Sequence, residues 1–135
     1  MANITRMDAV ELCDAAIAKA QGMGIKVTVS VVDAGGHLVT MQRMEGALLL
    51  SIEISKGKAL TSVLFGVPSV DTVARNENPA MQAAQLQMGG KFVMAQGALP
   101  IKRNGELLGA IGVSGAKSDE DEDCARAALT KLGFA

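Results

Sequence analysis

His37 is the only histidine in the chain, and it follows directly on Asp33-Ala34-Gly35-Gly36. A Gly-Gly turn lets backbone come close to a ligand. An imidazole beside it can ligate a metal or move a proton near neutral pH. The same position also suits a polar hairpin residue satisfied by its own backbone. Six residues on, Arg43-Met44-Glu45-Gly46-Ala47 offers two charged groups. Arg43 can hold a carboxylate bidentately. Glu45 can act as a general base, cap the helix that follows, or pair with Arg43. Lys56 and Lys58 bracket Gly57, and residues two apart do not share a helix face, so at most one of them faces a pocket. Lys56 either pairs with Glu53 one turn earlier or steers an anionic ligand.

His37 and Arg43 are expected on one return strand. Their even separation puts both side chains on one sheet face, provided no bulge intervenes. Val39 and Met41 would then form an apolar floor between the polar ends. Such a pocket suits a ligand with an apolar body and an anionic edge. Gly35, Gly36, Ser114 and Gly115 would add backbone at close approach. Ser114 has no nucleophile elbow and no second histidine, so Ser-His-Asp hydrolysis is unsupported. The acidic run Asp119–Asp123 reads as a solvated helix start and has no calcium-loop spacing. Gly35-Gly36 and Gly89-Gly90 form neither a GxGxxG nor a P-loop.

These residues need elements to hold them. Thr5, with Asp8 three residues later, predicts the start of a helix. Its apolar stripe is Val10, Cys13, Ile17 and Ala20, and it stops at Gly22 and Gly24. Val27, Val29 and Val31 alternate with Thr28 and Ser30, which predicts a strand. A turn at 33–36 returns the chain along 37–42. A helix is expected over about 48–65, stopped by Pro68, and a shorter one from Ser69 to about Arg75. Residues 76–79 read as a loop, and 80–90 are ambiguous. A short strand is expected at Phe92-Val93-Met94. Two apolar runs then flank Asn104-Gly105, a strong hairpin signal. The second run interleaves glycine with branched residues, as where a ligand or another backbone approaches closely. A last helix spans about 119–132. Five strands joined mainly as hairpins imply an antiparallel sheet with helices on one or both faces, an α+β class in one domain, 1–135.

Composition narrows the function. With 49% hydrophobic residues and a net charge of −1, the chain is globular, and no apolar run reaches membrane-spanning length. Three Phe are its only aromatics and no basic face is apparent, which argues against nucleic-acid binding. Residues 1–5 enter a helical pattern without a basic and apolar leader, so a cytoplasmic location is expected. Cys13 and Cys124 read as small buried residues without metal spacing. Met- and Leu-bearing segments at 41–50 and 81–94 predict leftover apolar surface and a homo-oligomer, at least a dimer.

Asp33-Ala34-Gly35-Gly36-His37-Leu38, Arg43-Met44-Glu45-Gly46-Ala47, Lys56-Gly57-Lys58-Ala59, Pro68-Ser69 and the Pro100–Gly115 segment occur in this order. Together they resemble the GlcG/HbpS-like family, also found as the C-terminal domain of PduO-type cobalamin adenosyltransferases. The resemblance implies a profilin-like sandwich. It also implies haem or a related tetrapyrrole as ligand, with His37 as axial or distal group and Arg43 as carboxylate partner. Glu45 stands where the family usually has Asp. Ala98 and Leu99 stand where relatives often have Gly-Gly, which would narrow a pocket there. Two other readings stay open. One is a cofactor-free catabolic enzyme acting on a small carboxylated metabolite, with Arg43 as anchor and His37 or Glu45 moving the proton. The other is a non-catalytic oligomeric accessory protein.

Overall fold

In the computed structural model, which describes residues 2–134, the chain runs α1 (Arg6–Met23), β1 (Thr28–Asp33), β2 (Leu38–Arg43) and α2 (Ser51–Phe65). A 3-10 helix (Ser69–Glu77) and α3 (Pro79–Gln87) follow, then β3 (Ala98–Arg103), β4 (Glu106–Ser114) and α4 (Ser118–Leu132). The four strands form one antiparallel sheet in the order β2-β1-β4-β3.

The two faces of the sheet are built differently. Val27, Val29, Val31, Ile111 and Val113 share one core with Leu12, Cys13, Ala16 and Ala20 of α1 and Ala125, Ala128 and Leu129 of α4. Each fully buried Val or Leu contributes about 1.5–3 kcal/mol of transfer free energy, so this face carries most of the hydrophobic stabilisation. The other face meets α2 through small and hydroxylated residues. Thr28 Oγ1 and Ser51 Oγ are 2.7 Å apart, and Ser30 Oγ and Ser55 Oγ are 2.8 Å apart. The apolar remainder is Val32, Ala59 and Ala110, with Val63 against them. A Cβ at Gly112 would lie 2.2 Å from the Ser55 carbonyl oxygen and 2.8 Å from the Ala59 nitrogen. The glycines in β4 thus serve close approach by two backbones: Gly112 meets that of α2, and Gly109 meets the Val32 carbonyl of β1.

Local signals hold in most places. Thr5 Oγ1 accepts the Asp8 N–H at 3.1 Å and caps α1. The buried stripe of α1 is centred on Ala9, Leu12, Cys13, Ala16 and Ala20, while Val10 and Ile17 lie half-buried at its margin. Alanines take the centre because two layers, α4 and the sheet, press close. Asn104 and Gly105 have φ of 52° and 79°, the left-handed pair of a tight primed hairpin turn. The ambiguous 80–90 region is helix α3 up to Gln87, with Pro79 in its first turn and Asn78 Oδ1 accepting from Ala80 N–H at 2.8 Å. The 3-10 helix extends to Glu77, into the expected loop.

The expectation of five strands is corrected to four among the described residues. Phe92-Val93-Met94 joins no ladder. Val93 N–H donates to the Gly57 carbonyl at 3.1 Å, and Thr61 Oγ1 donates to the Val93 carbonyl at 2.8 Å. A helix, α2, satisfies this backbone in place of a sheet neighbour. A Cβ at Gly57 would meet Val93 Cγ2 at 2.5 Å, so the close passage requires glycine there. The helix expected from 48 starts at Ser51, leaving Leu48–Leu50 in the preceding turn.

Candidate functional site

A pocket of about 450 Å³ opens between the β1–β2 turn, α2 and the segment after α3. Val32, Leu38, Ile54, Leu60 and Val93 supply its apolar wall. Glu53, Lys56 and Lys91 supply its charges, and Gly36, Gly89 and Gly90 its backbone edges. Lys56 Nζ lies 3.3 Å from Glu53 Oε2 on α2; the two side chains are 39% and 69% exposed. Lys91 comes from the segment after α3, which the bonds of Val93 to Gly57 and Thr61 hold against α2.

Asp33 organises the turn above this pocket. Its Oδ1 accepts N–H groups from Gly35 and His37, each at 3.0 Å. Its backbone N–H donates to the His37 carbonyl and its carbonyl accepts from Gly36, both at 2.9 Å. Gly36 is left-handed at φ 83°, and a Cβ there would meet Leu60 Cδ1 at 2.6 Å. The turn is thus seated on α2 through a glycine. His37 lies between two pocket-lining residues, Gly36 and Leu38, but its ring does not line the pocket. The side chain is 83% exposed, with Nδ1 3.4 Å from Asp33 Oδ1.

Of the residues singled out in the sequence, the structure brings Gly36 and Lys56 into this pocket. Lys58 turns the other way, as the two-residue spacing requires, and is buried against Asp121. Gly35 is exposed in the turn. Arg43 is not gathered with His37. β1 pairs Val31 with Thr40 and Val32 with Leu38, so Val39 is an extra residue and β2 is bulged. The bulge breaks the alternation that would have put His37 and Arg43 on one face. Six extended residues also separate them by ~20 Å, at about 3.3 Å each. Met41 lies opposite Ser30, on the α2 side, whereas Val39 packs against the other core. The single floor expected between His37 and Arg43 is therefore divided between the two faces.

Arg43 and Ser114 both flank Thr28, at the end of β1 away from Asp33. Ser114 is buried there. Gly115, at φ 130°, lets the chain pass the Lys26 carbonyl, from which a Cβ would be 2.6 Å. Glu45 is exposed; its backbone carbonyl accepts from Lys26 Nζ at 3.4 Å, and Leu50, not Glu45, stands at the N-cap position of α2, where no side chain makes a capping bond. Ala98 and Leu99 are buried in β3, and neither lines the pocket. Sequence reasoning does not reach Lys91, Gly89, Gly90 and the apolar lining. Gly-Gly-Lys after a helix pattern is a visible turn signal, but nothing local says that α2 lies opposite.

Among the described residues no cluster of three or more His, Cys, Asp or Glu could hold a metal ion, and no helix is long and apolar enough to cross a membrane.

A family model described as haem degrading protein HbpS-like matches residues 4–130. An uncharacterized 15.0 kDa protein from the dhaT-dhaS intergenic region of Citrobacter freundii is 36% identical over 131 residues, 96% of this chain and 92% of that protein. The corrinoid adenosyltransferase PduO of Citrobacter freundii is 33% identical over 123 residues. That match takes in 90% of this chain but 37% of PduO, so the likeness is to one part of it. The crystal structure of a PduOC–haem complex superposes with a TM-score of 0.86 at 30% identity, covering 98% of this chain and 97% of that one.

Proposed function

The chain belongs to the HbpS-like family, and from that premise we propose that it is a ligand-binding domain, with haem or a related tetrapyrrole as its leading ligand. The observation that carries the reading is the pocket of about 450 Å³, apolar along Val32, Leu38, Ile54, Leu60 and Val93 and cationic at Lys56 and Lys91. An apolar wall with a few charged groups at its edge is the usual form of a small-molecule site. The solved haem complex of PduOC supports haem as the candidate.

The residues present fit the organic part of such a group. The apolar wall would take the macrocycle, and Lys56 and Lys91 its carboxylates. His37 would reach the iron from the rim, once its contact with Asp33 opens. Bound haem would supply redox and ligand-exchange chemistry at its iron; the part of this chain is to hold and orient it. Arg43 lies too far along β2 to join the same ligand. The domain would also self-associate through Leu48, Leu49 and Leu50, which are 67%, 76% and 67% exposed.

The test is a spectrophotometric titration with hemin. A saturable Soret band with one equivalent is expected, weakened by Ile54→Trp, which fills the pocket, and shifted by His37→Ala. A band identical in wild type and Ile54→Trp would place the haem elsewhere and end this reading.

A further inference from the structure

Lys56 and Lys91 line one pocket from two different segments, and their electrostatic situations differ. Lys56 is held by Glu53 at 3.3 Å, three residues earlier on α2, and Glu53 itself lines the pocket. Lys91 has no ion-pair partner among the described residues. Glu53 is the more exposed member of its pair, so its carboxylate can swing to water at little cost. Exposed helical pairs of this spacing are weak and readily exchanged. A ligand carboxylate lying against the apolar wall would be shielded from water and bind an ammonium more strongly than Glu53 does.

Resting on the pocket reading above, we infer that Glu53 is an internal stand-in for the anionic group of the ligand. In the free domain it holds Lys56 in place at the pocket edge. When an amphipathic carboxylate enters, its carboxylate takes the place of Glu53 on Lys56, and Lys91 adds a second ammonium at the pocket edge. Glu53 thereby sets specificity. A neutral apolar molecule leaves the Glu53–Lys56 pair intact and gains nothing from either lysine. A cation meets two ammonium groups against one carboxylate and is rejected. The site therefore selects flat or elongated apolar bodies that carry a carboxylate at one end.

The experiment uses 1-pyrenebutyrate and its methyl ester, which share an apolar body and differ in charge. Fluorescence titrations are run on wild type, Glu53→Gln, Lys56→Met, Lys91→Met and the pocket-filling Ile54→Trp, with circular dichroism confirming that each is folded. We expect Lys56→Met and Lys91→Met each to weaken pyrenebutyrate at least about fivefold and to leave the ester unchanged. Glu53→Gln should tighten pyrenebutyrate about threefold and also leave the ester unchanged. If both probes enter a site blocked by Ile54→Trp but respond equally to all charge variants, the pocket stands and the role of Glu53 is refuted. That role is refuted equally if Glu53→Gln weakens the carboxylate, because Glu53 would then be a buttress for Lys56. If neither probe binds at a site blocked by Ile54→Trp, the pocket reading fails and this inference with it.

Discussion

Lys58 of α2 reaches Asp121 of α4, with Nζ 3.2 Å from Oδ2 and the two side chains 4% and 2% exposed. Lys58 also donates to the Val113 carbonyl at 3.1 Å, and Asp121 Oδ1 accepts the Ala116 N–H at 3.1 Å. A Cβ at Gly97 would lie 2.7 Å from Lys58 Nζ, so the ammonium is packed on that side too. One ion pair thus ties the two helical layers together past the end of β4.

Removing one member of this pair leaves a buried charge alone, which costs about 3–5 kcal/mol, whereas replacing both with apolar groups is often neutral. Lys58→Met should therefore lower the urea midpoint sharply, and Lys58→Met combined with Asp121→Leu should recover much of it. Equal losses in the single and double variants would contradict the pairing.

The same carboxyl predicts a pH dependence. Burial pushes Asp121 above its ordinary 3.8, and the Lys58 charge and the Ala116 N–H only partly offset this. A raised folded value means that folding favours the protonated form. The contribution is full below pH 3.8 and is lost as pH rises through the folded value. Asp121→Asn, which does not titrate, should therefore gain stability relative to wild type as pH climbs from below 3.8. Urea midpoints across an acidic pH series measure it, and a gap that moves in the opposite direction would reverse the assignment.

Cys13 and Cys124 are free and buried, and burial raises their thiols to about 12 and about 11 from 9.0. Both should resist a thiol-labelling reagent at about pH 8 in the native state and react fully in denaturant. Because the folded values are raised, their contribution is intact below pH 9.0 and declines as pH rises through about 11 and about 12. Rapid native labelling of either thiol would show that the α1–α4 layer opens.

Two glycines answer different demands. Gly105 has φ 79° with open space around it, so Gly105→Asn should cost little, since asparagine tolerates that conformation. Gly112 faces the Ser55 carbonyl, so any side chain there pushes on α2. Gly112→Ala should cost about 1–3 kcal/mol, and Gly112→Asn more. Thermal unfolding of the pairs separates conformational strain from overpacking; similar tolerance at both sites would count against the close approach.

The leucine turn before α2 gives an assembly prediction. Light scattering at micromolar concentration should report a species larger than one chain, and Leu49→Glu should reduce it. A monomer mass for wild type throughout that range would rule out self-association through this surface.

The sequence is decisive where the signal is local. Asn104-Gly105 needs left-handed backbone and so declares its hairpin; Thr5 declares a helix start because its side chain bonds the next turn. The family motifs in order declare the family, and the Lys56–Gly57–Lys58 spacing requires the two lysines to part. Tertiary structure decided the rest. Phe92–Met94 reads as a strand from its side chains, but α2 offers its backbone partners first. The glycines of β4 announce a close approach without saying that α2 comes to Gly112 and β1 to Gly109. The face shared by His37 and Arg43 depended on one extra residue at Val39, which strand alternation alone does not reveal. The pocket draws on segments far apart in sequence, and its two lysines line it together because Gly57 lets the 91–94 segment lie against α2. Such relationships are set by packing between elements, and no local pattern encodes them.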